Sequence, residues 1–177
     1  LLLTLAAGRA VALATDKDQP IDLEADAADI DEAKGISVYT GNVIATQGSM
    51  RLESDRLTVH HPEGKAQRIE ADGKPARFQQ TPDGQTVPVR ARANHLDYLV
   101  TSEELVMTGN AELIQGRDTF KSDRIVYDRV KSVVKGGAAA KGSERVRITV
   151  DPKSQQQGAA SAAGPAPKAP PAMPQAA

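Results

Sequence analysis

The chain has 177 residues, 22 Lys and Arg against 23 Asp and Glu, and a sequence pI near 6.4. That is enough for one domain and too balanced for a dedicated nucleic-acid binder. It has no Cys, which excludes disulfides, thiolate metal sites and cysteine nucleophiles; with no Trp, two Phe and three Tyr, it also lacks the means for a thick aromatic core.

In chain order, residues 1–14 read LLLTLAAGRAVALA. This apolar run is shorter than the roughly 20 residues a membrane-spanning helix needs. It closes on Ala12-Leu13-Ala14, and a small-x-small ending followed by charge predicts a residual secretory signal peptide cut after Ala14. The alternative is a frayed apolar N-terminus, toward which Arg9 inside the run weighs.

Residues 15–150 are predicted to be the folded domain, and an internal repeat organises them. Residues 38–56 read VYTGNVIATQGSMRLESDR and residues 106–124 read VMTGNAELIQGRDTFKSDR, an ungapped match at an offset of 68. A smaller unit recurs four times, in IDLEADAADI from Ile21, MRLESDRLTV from Met50, VRARANHLDY from Val89 and DTFKSDRIVY from Asp118. Each runs with period two, as Ile21, Leu23, Ala25 or Met50, Leu52, Ser54, then meets Asp26, Asp55, Asn94 or Asp123. It resumes as Ala28, Ile30, or Leu57, Val59, or Leu96, Tyr98, or Ile125, Tyr127. Period two on both sides predicts strands. The three-residue step across the Asp or Asn would flip the apolar face, so a bulge is expected there that turns a corner and keeps that face inward. Asp and Asn suit such a place because they tolerate left-handed backbone and bond nearby backbone groups.

The Thr-Gly-Asn pieces at Thr40 and Thr108, and the Gln-Gly pairs at Gln47 and Gln115, are predicted to be turns between strands. Around residues 36–39 and 104–107 the facing stays open: Ile36 and Val38 suggest one parity, Leu105 and Met107 the other. No sustained helical period appears, so the fold class predicted is all-β: a rolled, two-faced or solenoid-like sheet, open at both ends. Its first end is acidic, with eight acids and one Lys over residues 16–32, and its last end basic, with eight bases and three acids over residues 121–147. Such ends fit head-to-tail stacking of identical chains, or simply two solvated faces. Residues 151–177 contain no Leu, Ile, Val, Phe, Tyr or Trp and are expected to form a disordered Ala/Pro/Gln-rich tail.

Catalytic patterns do not assemble. His60 and His61 are adjacent and would point to opposite faces of a strand, and His95 stands alone. Asp26, Asp29 and Asp31 lack the central Gly and closing Glu of a calcium loop. Gly136-Gly137 has no following Lys-Ser/Thr, and no Ser lies in a Gly-x-Ser-x-Gly context. Neither a metal nor a cofactor is expected, nor an enzyme.

DKDQPIDLEAD from Asp16, TGNVIATQGSMRLESDRL from Thr40, GKPARF from Gly73 and VMTGNAELIQG from Val106 together resemble the OstA-like family of periplasmic lipopolysaccharide-transport bridge proteins. The likeness runs in order over essentially all of residues 15–150. It implies a β-jellyroll, V-shaped in section, whose hydrophobic groove shields lipid A acyl chains. It also implies head-to-tail copies, capped by related jellyroll domains of inner-membrane and outer-membrane partners. By motif, Ile21, Leu23 and Phe78 fall at lipid-contacting positions. Alternation alone leaves Leu52, Leu57, Leu96, Phe120 and Ile125 open between groove and core. One departure is His61-Pro62, where a relative has Arg before the Pro, which puts a basic head-group contact there in question. The alternatives are a structural β-solenoid filament without a lipid ligand and a carbohydrate-active β-helix enzyme. The last needs catalytic carboxylates clustered on one sheet face, which the alternation does not place.

Overall fold

Alternating apolar and polar side chains make strands that bury one face, and among the described residues ten of them pair into one sheet. The computed structural model describes residues 16–82 and 84–150; the predicted signal and tail lie outside the described residues. The strands are β1 (Ile21–Glu24), β2 (Ala27–Asp31), β3 (Ile36–Gln47), β4 (Met50–His60) and β5 (Arg68–Gln80), then β6 (Val89–Leu99), β7 (Glu104–Gln115), β8 (Asp118–Asp128), β9 (Val133–Gly136) and β10 (Arg147–Thr149). Each pairs antiparallel with its neighbour in the order β1-β3-β4-β5-β6-β7-β8-β10, with β2 also on β3 and β9 also on β8. Only single 3-10 turns, at Asp16–Asp18, Pro62–Gly64 and Gly137–Ala140, interrupt this all-β architecture among the described residues.

A line of bulges crosses the sheet and divides each long strand into two halves. On β4, β6 and β8 the buried positions run through Ser54 to Leu57, Ala93 to Leu96 and Ser122 to Ile125, the expected step of three. The bulge itself is distributed differently from the sequence expectation. Thr-Gly-Asn lies inside β3 and β7, not between strands: Gly41-Asn42 oppose Asp55, and Gly109-Asn110 oppose Asp123. Both Asn residues and both Gly residues are left-handed, with φ of 45° at Asn42, 51° at Asn110, 79° at Gly41 and 78° at Gly109. None of Asp26, Asp55, Asn94 and Asp123 is left-handed. Asp26 and Asn94 act instead as side chains over the bulge. Asn42 donates to Asp26 Oδ2 at 2.8 Å, and a Cβ on Gly109 would sit 2.9 Å from Asn94 Nδ2. The Gln-Gly pairs do end strands, turning β3 into β4 and β7 into β8.

The open facing is settled by register. Tyr39 pairs with Leu57 and Met107 with Ile125, while Ser37 pairs with Val59 and Leu105 with Tyr127. Directly paired residues share a face, so the odd-numbered parity is inward in both repeats. Ile36 and Val38 face outward, and the inward Ser37 is buried, 2.8 Å from His61 Nε2 through its hydroxyl. Ala28 and Ile30 pair with Tyr39 and Ser37 and so face inward as expected, yet both are exposed because β2 is an edge with nothing folded over it. The inner faces of the two halves share one core that includes Val43, Leu57, Phe78, Leu96, Met107, Leu113 and Ile125.

Candidate functional site

The two halves of the sheet do not meet everywhere. Between them lies a cavity of about 720 Å³, within the roughly 300–1,000 Å³ of sites that enclose a small ligand. Its first wall comes from the half of the sheet that carries β1: Ile21, Leu23, Ala45, Met50, Leu52 and Phe78. Leu23, Ala45, Leu52 and Phe78 are consecutive partners across β1, β3, β4 and β5, so one row of side chains crosses four strands. The facing wall comes from the half that carries β2 and β9, with Leu57, Val59, Ile69, Leu96, Tyr98 and Tyr127 prominent. Val59, Ile69 and Tyr98 form another continuous row, joined through Leu105 to Tyr127. Such a surface offers apolar contact without direction, at about 0.8 kcal/mol per buried methylene.

Polar groups sit at the tips of the two halves. At the first, Asp16 accepts hydrogen bonds from the Ser49 backbone N–H at 2.7 Å, the Ser49 hydroxyl at 2.8 Å and Gln80 Nε2 at 2.7 Å. Burial pushes the Asp16 carboxyl up, but those bonds, joined by the charge of Arg129, hold it below the usual carboxylate range. At the second, Arg129 lies over the Tyr98 ring, 5.2 Å from its centroid, and donates through Nη1 to the Tyr98 hydroxyl.

Of the residues singled out in sequence, Ile21, Leu23, Leu52, Leu57, Phe78 and Leu96 line the cavity. Phe120 and Ile125 do not: Phe120 lies between Leu113 and Ile148 near the last edge, and Ile125 is sealed against Met107. Ile125 is fully buried in the core, while Phe120 packs, partly buried, against it. Met50, Val59, Tyr98 and Tyr127 belong to the cavity and were visible as inward positions in the alternation. Ile69, Leu105, Asp16 and Arg129 were not marked, because they lie on strands or turns that the four-fold pattern does not include.

The histidines are spent elsewhere. His60 Nε2 lies 2.7 Å from Glu70 Oε2, and His95 Nδ1 lies 2.7 Å from Asp72 Oδ1. Among the described residues no three His, Cys, Asp or Glu gather as a metal site. No helix among them is long and apolar enough to cross a membrane.

The described residues define an all-β protein, an open antiparallel sheet with a largely apolar cavity along its inner face. The chain belongs to the LptA/(LptD N-terminal domain) LPS transport protein family, whose model matches residues 22–133. It is 34% identical over 164 residues to the lipopolysaccharide export system protein LptH of Pseudomonas aeruginosa, covering 88% of this chain and 93% of that one. It is 38% identical over 120 residues to the Escherichia coli K12 lipopolysaccharide export system protein LptA, covering 67% of this chain and 64% of that one. Among solved structures it matches that of LptH, described as the LptA homologous periplasmic component of the lipopolysaccharide transport device of P. aeruginosa. There the TM-score is 0.71 and the identity 30%, over 78% of this chain and all of that one.

Proposed function

We propose that this chain is a non-catalytic periplasmic carrier and bridge. It takes the lipid A acyl chains of lipopolysaccharide into the cavity between the sheet halves and passes them onward, from inner to outer membrane, through head-to-tail assemblies. The observation that carries this reading is the apolar cavity itself, walled by rows of side chains that run across the strands toward open edges. Family membership supports lipopolysaccharide as the cargo, and the periplasmic description of LptH supports the compartment. A carrier has to release what it holds, and contact without directional bonds permits sliding.

The bridge reading draws on the edges. Large apolar side chains left exposed are concentrated there: Ile21 and Ile30 at the first edge, Val133, Ile148 and Val150 at the last. Each edge also leaves unpaired backbone groups able to accept a strand. β10 runs opposite to β8, and β1 opposite to β3, so β1 of a following copy placed beside β10 continues the antiparallel order. Extending the rows in register puts Leu23 of the next copy beside Ile148, Glu24 beside Arg147 and Asp29 beside Lys135, apolar inside and opposite charges outside. Related jellyroll domains on the inner-membrane and outer-membrane partners would cap the two ends of such a stack by the same edge pairing.

The test places a photo-crosslinking residue at Phe78, Ile21 or Leu23 in turn. Lipopolysaccharide labelling is expected at each, and no labelling at any of the three overturns the cavity assignment. Solvent extraction of the purified protein followed by mass spectrometry separates a carrier, which yields acyl chains, from a filament without lipid.

A further inference from the structure

We propose that Arg129 is an anion contact of this site, holding the phosphate head group of an amphiphile whose acyl chains occupy the cavity. This rests on the carrier reading above and adds to it the charge that the site selects. Among the described residues Arg129 is the only cation that lines the cavity. It stands at the tip of the second half, in the turn between β8 and β9, beside Val100, Val130 and Ser132. An amphiphile with its chains between the halves leaves its head group at such a tip, where apolar wall gives way to polar atoms.

The guanidinium is held in place rather than loose. Its side chain is only 17% exposed, packed on the Tyr98 ring and bonded to the Tyr98 hydroxyl, while its own backbone N–H donates to the Glu103 carbonyl at 3.1 Å. Its carboxylate partner is weak by comparison, since Glu103 Oε2 lies 4.0 Å from Nη1, at the outer limit of an ion pair. Both side-chain contacts run through Nη1, which leaves the edge formed by Nε and Nη2, a pair of parallel donors that can grip a phosphate two bonds at a time. A phosphate with three acceptor oxygens forms short charge-assisted bonds and displaces a carboxylate held at that distance. Asp16, on the opposite tip, does not compete for the guanidinium by hydrogen bonding, because its oxygens are engaged by Ser49 and Gln80. The two carboxylates nevertheless weaken the local attraction for anions, which keeps the grip loose enough for release.

A more basic surface exists around Arg92, Lys121 and Arg147, but it is on the outer face, and Arg92 and Lys121 both engage Glu112 there. It has no apolar room beside it. His61, in the turn between β4 and β5, is turned to Ser37 and does not line the cavity.

The experiment measures calorimetric affinity of the full chain for monododecyl phosphate and for neutral dodecyl glucoside, each below its micelle concentration, and for inorganic phosphate alone. Arg129→Gln is expected to weaken dodecyl phosphate about tenfold, the size of one charge-assisted contact, and to leave dodecyl glucoside unchanged. Arg129→Lys should recover part of the loss, and Glu103→Gln should tighten dodecyl phosphate alone. Equal loss on both amphiphiles means that Arg129 only braces the tip, and no loss on either removes it from the site; both results overturn the proposal. Saturable binding of inorganic phosphate that Arg129→Gln abolishes overturns the head-group assignment in favour of a free anion. If the native chain binds neither amphiphile, the carrier reading fails with it.

Discussion

Asp123 accepts hydrogen bonds from the Ser143 backbone N–H at 2.6 Å and the Ser143 hydroxyl at 2.9 Å. The backbone bond above all holds its carboxyl down to about 2, outweighing the opposing effect of burial. A carboxyl depressed by folding stabilises the native state above its ordinary value and loses that contribution as pH falls through the folded value. Melting temperature followed from pH 5 to pH 2 should therefore drop for the native chain mainly below about pH 4. Asp123→Asn should lower stability at pH 6 and flatten the acid limb; an unchanged limb would show that Ser143 is not held through this charge. The recurrence of Asp or Asn at four positions was legible, but their role was not. A short polar side chain can turn its own backbone or bridge to another strand, and only the neighbour across the sheet selects between the two.

The strands owe their corners to paired residues on adjacent elements. β7 supplies Gly109 and Asn110, both left-handed, and β8 supplies the single residue opposite them. A Cβ at Gly109 would meet Asn94 of β6 at 2.9 Å and would also have to adopt a φ of 78°. Gly109→Ala is expected to cost about 1–3 kcal/mol, read by urea denaturation, and a cost below about 0.5 kcal/mol would refute the bulge as the cause of the corner. Alternation alone predicted the elements carrying the step of three, and β4, β6 and β8 follow it. It placed Thr-Gly-Asn in turns because a left-handed Gly-Asn pair has the same local conformation in a hairpin and in a bulge. The partner strand decides between them, and the partner is 16 residues away for Thr40 with Arg56.

For the whole molecule, the proposed head-to-tail assembly rests on the two open edges. Ile148 is 56% exposed and pairs with Phe120 at the last edge, so changing it disturbs little of the single chain. Ile148→Asp should leave the urea midpoint within about 0.5 kcal/mol of the native value, as expected of an exposed position. It should at the same time collapse a concentration-dependent ladder in gel filtration to monomer. A ladder that survives the change, or a native chain that is monomeric at every concentration, would remove the edge pairing from the bridge reading.

The period of two, broken by a step of three and repeated at an offset of 68, determined by itself that this is an all-β chain with corner-turning strands, because each such pattern is written in residues a few positions apart. Motif resemblance pointed to the family to which the chain belongs. The sequence could not say which inward side chains enclose space. Leu57 and Ile125 occupy matching places after their corners, and both are buried, yet Leu57 borders the cavity and Ile125 is sealed in the core. Phe78 lines the cavity, whereas Phe120 does not and packs, only partly buried, against the core. That difference depends on how closely one half of the sheet packs over the other along its length, a spacing set by cumulative twist and by every bulge together, and so only the tertiary structure decides it.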